Sequence, residues 1–513
     1  MNKKSQIKAG IILNYVNEIL GNLIPLFYTP IMLTLLGQAE YGLYKLSGSI
    51  TSYLSLISMG IGAAVTRYLI KADTEEGKEA EERMLGLFLR IFQVIAILAF
   101  AVGLLLTLNL HLWYSKSLSS DELQRMRVLV FLMTCNTALS FSMSPYVSAV
   151  STHERFVFIQ SMNIITSCVL PLLNLVVLWL GFASVGMAVA SLSVSIVTRF
   201  AYYFYVRKGL QLKARFKGLP TSQIKEILVF SFWIFVANVV AQLYNATDTV
   251  MIGAVPALAT AGVAVYNVGQ VFNHMVFGLT TGVSSLLGPK TNRMVFSGAS
   301  GQELTDLAIK VGRIQGCIIG LVVSGFIVFG KAFIHIYTKS TGDDYSAAYW
   351  VAVCMMVPNM IPLVQSVCLS IIVAQNKHRF RSLVYLGIAI LNVIGTWFLM
   401  HTRLGIVGAA LMTGIALIIG QGFAMNWYYS RKTNLEISRF WMELAEIYIV
   451  PAIMCLFGIP VARCFDFRSI PLFLLGVCTY AAVYLFADWK LIFNEYEKNL
   501  IRYPFVRWKY KRG

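Results

Sequence analysis

Long apolar blocks alternate with short polar segments along the whole chain. Each block has about 20 residues or more, which is enough for a helix to cross ~30 Å of hydrocarbon. Backbone groups in lipid need hydrogen-bond partners within the protein, so only helices and closed barrels span membranes. Barrel strands would be segments of about ten residues with alternating polarity, whereas these runs are continuous, so we predict helices. Fourteen spans are expected, at residues 9–36, 41–70, 84–109, 126–150, 157–180, 183–206, 226–253, 261–289, 304–330, 346–375, 383–400, 405–429, 445–463 and 469–488.

The composition agrees with a membrane protein and excludes the soluble classes. Of the 513 residues, 57% are hydrophobic and only 13% are charged, whereas a typical soluble protein has about 25% charged residues. The mean hydropathy is +0.69. The first apolar block is longer than the core of a secretory signal and lacks a small-residue cleavage site, so we interpret it as the first span.

Lysine and arginine are distributed unequally between the two sets of loops. The set that includes both terminal segments carries 28 of the 42 basic residues, and the opposite set carries 7. Short loops that are rich in lysine and arginine stay on the cytoplasmic side. We therefore expect both termini to be cytoplasmic. The net charge of +18 then reflects this bias and contact with anionic lipids, so we expect no nucleic-acid partner.

No expected loop is long enough for a soluble domain. The longest outer loops, at 110–125 and 331–345, and the cytoplasmic loop at 207–225 are all much shorter than a folded domain. A membrane glycosyltransferase, ligase or polymerase would need a catalytic loop with convergent acids or histidines. The main carboxylate cluster, at 73–82, has the pattern of a solvated loop followed by a helix start. We therefore expect that the chain is not an enzyme.

The chain contains an internal repeat, in which 1–206 resembles 226–430 at a nearly constant offset. Each copy has six expected spans, so both copies enter the membrane from the same side and are related by a pseudo-two-fold axis along the membrane normal. Many secondary transporters have such parallel repeats and hold their substrate between the halves. The ordered matches include Gly42 with Gly262, Gly62 with Gly282, Arg90 with Lys310, Asn136 with Asn359, and Val185-Gly186 with Val407-Gly408.

The predicted fold is an all-α integral membrane protein of about fourteen transmembrane helices. It has two related six-helix bundles and a C-terminal pair of helices without a counterpart in the repeat. The expected domains are an N-terminal bundle at 1–206, a basic cytoplasmic linker at 207–225, a second bundle at 226–430, and the extra helices with a basic tail at 431–513.

Two sequence segments carry a resemblance to a known family. The first span is followed by Leu36-Gly-Gln-Ala-Glu-Tyr-Gly-Leu43, and span ten is followed by Gln375-Asn-Lys-His-Arg-Phe380. With the span arrangement, these segments resemble Wzx-type flippases, in the polysaccharide-transport branch of the multidrug/oligosaccharidyl-lipid/polysaccharide exporter superfamily. The resemblance implies the flipping of polyprenyl-pyrophosphate-linked oligosaccharides from the inner to the outer leaflet. The first span lacks the arginines of the lipid II flippase branch, so the peptidoglycan precursor is not favoured as the substrate.

The resemblance also implies a location and partners. We expect a multi-pass protein of the bacterial plasma membrane that contacts its lipid-linked oligosaccharide and membrane lipids. Polysaccharide polymerase and assembly proteins are candidate partners. The alternative function is a cation-coupled multidrug or metabolite antiporter of the same superfamily, which would need acids in a compact cavity. The charge within the spans is mostly basic, which favours an anionic substrate.

Polar residues form a stripe along the first span. Asn14, Glu18 and Asn22 are four residues apart and share one helical face. Glu18 lies ~15 Å along this span, near the bilayer midplane. It could bind a proton or Na⁺, pair with a cavity arginine, or be a neutral structural acid; we favour the arginine pair over proton uptake as its coupling role. No other cofactor is expected.

Span seven carries an equivalent polar stripe. At the repeat offset, Glu18 and Asn22 correspond to Asn238 and Gln242. Two interpretations remain open for both stripes: hydrogen bonds that join helices, and a water-filled cavity shared by the halves. Asp248 lies near the outer end of this span, and for this acid a solvated position is favoured over an ion site. The residues of this stripe are Asn238, Gln242 and Asn245, with Asp248 nearby.

Basic residues within the spans are candidates for a pyrophosphate site. A charged group in hydrocarbon is costly, so such residues usually face a cavity or a partner. The guanidinium fork binds two phosphate oxygens at once. We predict that Arg90, Arg199 and Arg313 reach one cavity between the halves, and that His274 contributes to it. Arg67 and Lys310 are weaker candidates, because they lie near span ends, where a long side chain can reach the interface.

The cysteines indicate neither a metal site nor a disulfide framework. No C-x-x-C pair is present, and the six histidines form no cluster. Eight cysteines lie within or beside apolar blocks, where cysteine is a small apolar residue. They are Cys135, Cys168, Cys317, Cys354, Cys368, Cys455, Cys464 and Cys478.

Overall fold

The structure is a computed structural model that describes residues 3–58, 60–375 and 377–499. Throughout these ranges the regular structure is helical, with no strand. Twelve of the described helices are long and apolar enough to cross a membrane. The chain divides into two compact units, Met1–Asn267 and Val268–Gly513. The all-α membrane fold predicted from the apolar blocks is thereby confirmed.

In its described part, the first unit contains seven helices and the start of an eighth. Short 3₁₀ and π segments connect or extend several of them. The helices are α1 (Lys3–Ser52), α2 (Ile61–Glu76), α3 (Lys78–Tyr114), α4 (Ser120–Thr152), α5 (Phe156–Trp179), α6 (Ala183–Phe204), α7 (Ile224–Ala254) and α8 (Ala259–Phe296), which continues into the second unit.

The second unit contains the remaining helices. A π-helical segment, Ile418–Met425, connects two of them, Gly405–Leu417 and Asn426–Lys432, without an intervening loop. The helices are α9 (Gly301–Thr338), α10 (Ala347–Val364), α11 (Ser366–Ala374), α12 (His378–Met400), α13 (Gly405–Leu417), α14 (Asn426–Lys432), α15 (Ile437–Ala445), α16 (Ile449–Cys464) and α17 (Ile470–Ala487).

Two breaks shape the first helices. Gly37 has φ 75° and ψ 169°, which interrupts α1 between the expected first and second spans. The prediction of one helix over 41–70 is wrong, because a 3₁₀ turn at Tyr53–Ser58 and a left-handed Gly60 separate α1 from α2. A Cβ atom at Gly60 would lie 2.9 Å from Ile234 Cβ, so the break brings the backbone close to α7.

The core of the first unit includes the segment between α6 and α7. Phe88 and Phe92 of α3 pack with Tyr68 of α2 and Tyr202 of α6. Leu212, in the segment predicted as a basic linker, is buried in the same cluster. This segment is therefore packed against the bundle and is not a free tether.

The C-terminal pair of helices packs on α9. Tyr480 and Tyr484 of α17 and Val450 of α16 are buried in one cluster with Val328 and Phe329 of α9. The rings of Phe329 and Tyr480 meet edge to face, with their centres 5.6 Å apart. The two helices therefore belong to the core of the second unit and are not a loose addition to it.

Candidate functional site

The polar face of α1 binds α5 in the first unit. Gln160 donates from Nε2 to Asn14 Oδ1 at 3.0 Å, and Ser167 Oγ donates to Asn17 Oδ1 at 3.4 Å. These bonds correspond to the interpretation in which the stripe joins helices. For Asn14, the structure therefore supports a hydrogen bond between helices, which is the first of the two interpretations left open by the sequence.

Glu18 differs from its neighbours on the stripe. Its side chain is exposed, and among the described residues its carboxylate forms no ion pair. Asn22 donates to the backbone carbonyl of Glu18 at 2.8 Å, so this bond leaves the carboxylate unused. The arginine pairing expected for Glu18 thus has no partner in the described part of the chain.

The stripe on α7 faces the end of α1 within the same unit. Gln242 donates to Ser52 Oγ, and further along α7 Thr247 Oγ1 lies 2.6 Å from Tyr53 OH. Asn238 is exposed. The side chain of Asn245 lies outside the described residues. The polar face of α7 therefore contributes to the joint between these two helices.

Asp248 is buried, and the expectation of a solvated position for it is wrong. Its side chain is 1% exposed, and Tyr266 OH donates to Oδ2 at 2.6 Å. The tyrosine lies on α8, the next helix in the chain. A buried carboxylate needs such donors, because an unpaired charge away from water is costly.

Two arginines of the first unit lie over aromatic rings. The guanidinium of Arg67 is 4.6 Å from the centre of the Phe230 ring, and that of Arg90 is 4.9 Å from the centre of the Phe216 ring. Both arginine side chains are exposed. Arg90 also makes one long hydrogen bond, 3.4 Å from Nη1 to Gln93. A cation–π contact does not use the N–H groups of a guanidinium as hydrogen-bond donors, so those without another acceptor remain available to an anion.

Arg199 is half-buried on α6, close to Tyr202. Within residues 3–499, apart from the undescribed positions, neither Arg90 nor Arg199 forms an ion pair with a carboxylate. Two basic groups of the first unit thus carry charge that the described carboxylates do not neutralise.

The candidates on α8 and at the start of α9 are both exposed. Lys310 has its Nζ 5.7 Å from the centre of the Tyr496 ring. His274 is exposed on α8. Lys310 and its repeat counterpart Arg90 thus both lie over an aromatic ring from a later segment of the chain.

Arg313 is fully engaged within the second unit, which corrects its assignment as a cavity residue. It is 4% exposed, and its Nε donates to Glu497 Oε1 at 2.7 Å. Its other nitrogens donate to the carbonyls of Glu443 at 3.0 Å and Ile492 at 2.8 Å. The depth of Arg313 in its span is thus explained by a buried pair with the C-terminal segment.

Sequence reasoning missed Glu40, which lies in the Leu36–Leu43 segment that carries the family resemblance. Arg125 Nη1 donates to Glu40 Oε2 at 3.1 Å, and Ser184 Oγ donates to its other oxygen. Glu40 therefore joins α1, α4 and α6 at one end of the first unit. Its place in a short motif beside Gly37 is the sequence signal that could have identified it.

A family model described as polysaccharide biosynthesis protein matches residues 7–286, more than half of the chain. No curated protein matches the chain. The family match covers nearly the whole first unit and the first part of the continuation of α8 into the second.

Solved structures share the fold over most of the chain. The inward closed conformation of the lipid II flippase MurJ is similar with a TM-score of 0.73 and 16% identity, covering 93% of this chain and 98% of that one. An inward-facing MATE multidrug transporter of the MOP superfamily has a TM-score of 0.62 and 15% identity, covering 83% and 99%. The Vibrio cholerae MATE transporter VcmN in the bent form has a TM-score of 0.55 and 17% identity. The match covers 85% of this chain and 99% of that one.

The family match assigns the chain to a family, and the apolar helices indicate a membrane protein. The similarity to solved structures identifies the fold. The chain is a multi-pass membrane protein that belongs to the polysaccharide biosynthesis protein family and has the fold of the MOP-superfamily transporters.

Proposed function

We propose that this protein is a flippase that moves polyprenyl-pyrophosphate-linked oligosaccharides from the inner to the outer leaflet of the bacterial plasma membrane by alternating access. The family to which it belongs concerns polysaccharide biosynthesis, and the fold is that of a lipid II flippase and of multidrug transporters. The pyrophosphate is the charged part of the proposed substrate, so it needs cationic groups along its route.

One observation carries the choice of an anionic substrate. Arg90 and Arg199 lie within the apolar helices α3 and α6, and neither is neutralised by a carboxylate of the described residues. A charge kept in such a helix without a carboxylate to neutralise it is expected to serve a pathway for ions or substrates. We assign these two arginines to the binding of the pyrophosphate and exclude Arg313, whose guanidinium is occupied.

The antiporter alternative requires acids that attract a cationic substrate. In the first unit Glu40 pairs with Arg125, and Asp248 accepts from Tyr266, so both carboxylates have internal partners. Glu18 is exposed and is our candidate for coupling to H⁺ or Na⁺. In this proposal Arg90 and Arg199 bind the substrate, and the carboxylate of Glu18 binds the driving ion.

The test is flipping in proteoliposomes that contain a fluorescent polyprenyl-pyrophosphate oligosaccharide. The fraction of sugar accessible to an added glycosidase is followed with time. Arg90→Ala and Arg199→Ala should each slow flipping at least about tenfold, since a charged hydrogen bond contributes about 1.5–3 kcal/mol. Arg403→Ala, at an exposed position between α12 and α13, is the matched control and should leave the rate unchanged.

Two results would contradict the proposal. The first is a wild-type protein that leaves the labelled sugar lipid on one side while it exports cationic dyes, which would favour the antiporter. The second is flipping that is unaffected by loss of both arginines, which would remove them from the route. Arg→Lys at each position should restore only part of the rate, because the fork is lost.

A further inference from the structure

An exposed stripe of apolar and basic side chains runs along the end of α6 that is expected to be cytoplasmic. Its members follow one another at intervals of four residues, about one helical turn, and are Ile196, Phe200, Phe204 and Lys208. The ring centres of Phe200 and Phe204 are 6.4 Å apart. Lys208 lies in the π-helical segment that extends α6, with its Nζ 5.9 Å from the centre of the Phe204 ring. The stripe thus ends in a cation beside an exposed aromatic pair.

The second unit has a similar stripe at the end of its own repeat. Its exposed residues are again four apart and are Ile419, Phe423, Trp427 and Arg431. This stripe begins in the π-helical segment between α13 and α14 and continues along α14. The two units therefore present the same order of aliphatic, aromatic and basic side chains on an exposed surface.

The sequences of the two helix ends are also related. At the repeat offset Phe204-Tyr-Val-Arg-Lys208 resembles Tyr428-Tyr-Ser-Arg-Lys432, so each stripe ends at a pair of adjacent basic residues. Behind each pair a tyrosine ring stacks on a neighbouring helix. Tyr205 stacks on Phe158 of α5 with ring centres 3.9 Å apart, and Tyr428 stacks on Phe380 of α12 at 4.3 Å. The stacked rings hold both helix ends in place, so the basic residues have defined positions.

The basic residues at the two helix ends have no acidic partners among the residues that the structure describes. None of the four forms an ion pair with a described carboxylate; they are Arg207, Lys208, Arg431 and Lys432. The sequence has no Asp or Glu at 200–225 or at 418–435. In the second unit Lys377 adds a third cation, since its Nζ donates to the carbonyl of Lys432 at 2.6 Å. Each helix end therefore combines positive charge without a described counter-ion and exposed apolar surface.

We propose that each stripe binds one anionic phospholipid, whose phosphate is held by the basic pair while an acyl chain lies along the exposed aromatic and aliphatic side chains. Guanidinium and ammonium groups donate to phosphate oxygens in charge-assisted hydrogen bonds. Basic residues beside the end of a membrane helix also attract anionic lipids through their charge. A zwitterionic lipid has the same phosphate, but its own ammonium group compensates the charge, so it binds less tightly.

The two lipid sites are separate from the groups assigned to flipping. They contain none of Arg90, Arg199 and Glu18. The inference is therefore independent of the proposed function, and its failure would leave the flippase proposal untouched.

The test compares two phospholipids that have the same acyl chains and a different net charge. The full-length protein is placed in nanodiscs with equal amounts of phosphatidylglycerol and phosphatidylcholine, and the lipids that it retains on release are counted by native mass spectrometry. The wild type should retain two molecules of phosphatidylglycerol. It should bind them at least about tenfold more tightly than phosphatidylcholine, because two basic residues act at each site.

Charge-removing variants assign each molecule to one stripe. Arg207→Gln with Lys208→Gln should remove one of the two phosphatidylglycerol molecules. Arg431→Gln with Lys432→Gln should remove the other. All four side chains are exposed, so these variants should fold as the wild type does.

The matched control removes the same charge outside the stripes. Lys213→Gln with Lys217→Gln changes two exposed residues in the irregular segment that follows α6 and should retain both molecules. If the control loses as much phosphatidylglycerol as the stripe variants do, attraction follows the overall charge and the proposal is overturned.

Trp427 provides a local measurement in the second unit, because it is an exposed member of the stripe. The fluorescence of this residue is the part of the signal that Trp427→Phe removes. Phosphatidylglycerol that is brominated on its acyl chains should quench this part more strongly than brominated phosphatidylcholine does. Equal quenching, or equal retention of the two lipids by the wild type, would overturn the proposal and leave the stripes as ordinary interfacial anchors.

Discussion

Arg215, on the segment after α6, donates from Nε to Glu82 Oε2 at 2.7 Å. Glu82 lies in the first turns of α3 and is buried, and its other oxygen accepts the backbone N–H of Lys213 at 3.0 Å. The hydrogen bond to Glu82 raises the pKa of Arg215, so the guanidinium remains charged. The segment that follows the first six helices is thus fastened to the start of α3.

The second unit contains a comparable ion pair. Arg439 lies on α15, after the second set of six expected spans, and its Nη2 is 2.7 Å from Oδ1 of Asp306 in the first turns of α9. Beside them the backbone N–H of Glu436 donates to Thr305 Oγ1 at 3.0 Å. The start of α3 and the start of α9 therefore each form an ion pair with an arginine. In both cases the arginine lies in the segment that follows the six expected spans of the same repeat.

We expect Glu82→Ala to lower the thermal midpoint of the purified protein by more than Asp306→Ala does. Glu82 is buried and satisfies a backbone donor as well as Arg215, whereas Asp306 is 41% exposed and its pair is screened by water. Midpoints are measured in detergent from the loss of the folded protein's size-exclusion peak on heating. Glu75→Ala, an exposed acid of α2, is the control and should leave the midpoint unchanged. A larger effect at Asp306 would contradict this ranking.

The span pattern could be predicted from the sequence because hydrocarbon thickness requires long apolar runs wherever a helix crosses. The ends of the spans were less predictable. At the break before α2, Gly60 lies so close to Ile234 that no side chain fits there, and Ile234 lies on α7, five helices later in the chain. Hydropathy alone has no information about such a contact.

Candidate site residues were recognised by depth, but depth does not identify a partner. Arg313 and Asp248 were both identified from their positions in apolar helices. Glu497, which neutralises Arg313, lies on the far C-terminal segment, and Tyr266, which binds Asp248, lies on the next helix. The exposed Arg90 shows no such partner among the described residues. Whether a charged side chain has a partner depends on tertiary packing. A charged residue within an apolar helix can therefore be either structural or functional, and its position in the sequence does not distinguish the two.

Gly42→Ala should impair transport without abolishing insertion into the membrane. A Cβ atom at Gly42 would overlap the carbonyl oxygen of Thr260, so α1 and the start of α8 would have to separate. Overpacking costs about 1–3 kcal/mol, which shifts a conformational equilibrium by about 5- to 150-fold. The separation is measured as a faster labelling rate of Ala261→Cys, at an exposed position beside Thr260.

Gly48→Ala is the matched control for this helix contact, because its Cβ would meet no atom within 4 Å. It should leave both the labelling rate and the transport rate as in the wild type. Equal effects of the two substitutions would show that helix propensity, and not the contact with α8, determines the response.

Both termini should face the cytoplasm, because 28 of the 42 basic residues lie in the loops on their side. A phosphatase reporter fused after Gly513 is active only outside the plasma membrane and should therefore be silent. A fluorescent protein that matures only in the cytoplasm should be bright at the same position. An active phosphatase would contradict the orientation and the leaflet assigned to each candidate site.

Glu18→Gln should abolish transport driven by an ion gradient while substrate binding is retained. Glu18 is exposed on α1, and its neighbours Asn14 and Asn22 use their side chains for Gln160 and for the helix backbone, so the carboxylate remains available for H⁺ or Na⁺. The amide keeps the shape and removes the charge that the driving ion needs. Flipping in proteoliposomes is compared with imposed H⁺ and Na⁺ gradients, and substrate binding is measured separately in detergent. Glu18→Asp keeps the charge on a shorter side chain and should restore part of the coupled rate. A wild-type rate for Glu18→Gln under both gradients would instead assign Glu18 to the structure of α1, and the coupling residue would then have to be sought on another helix.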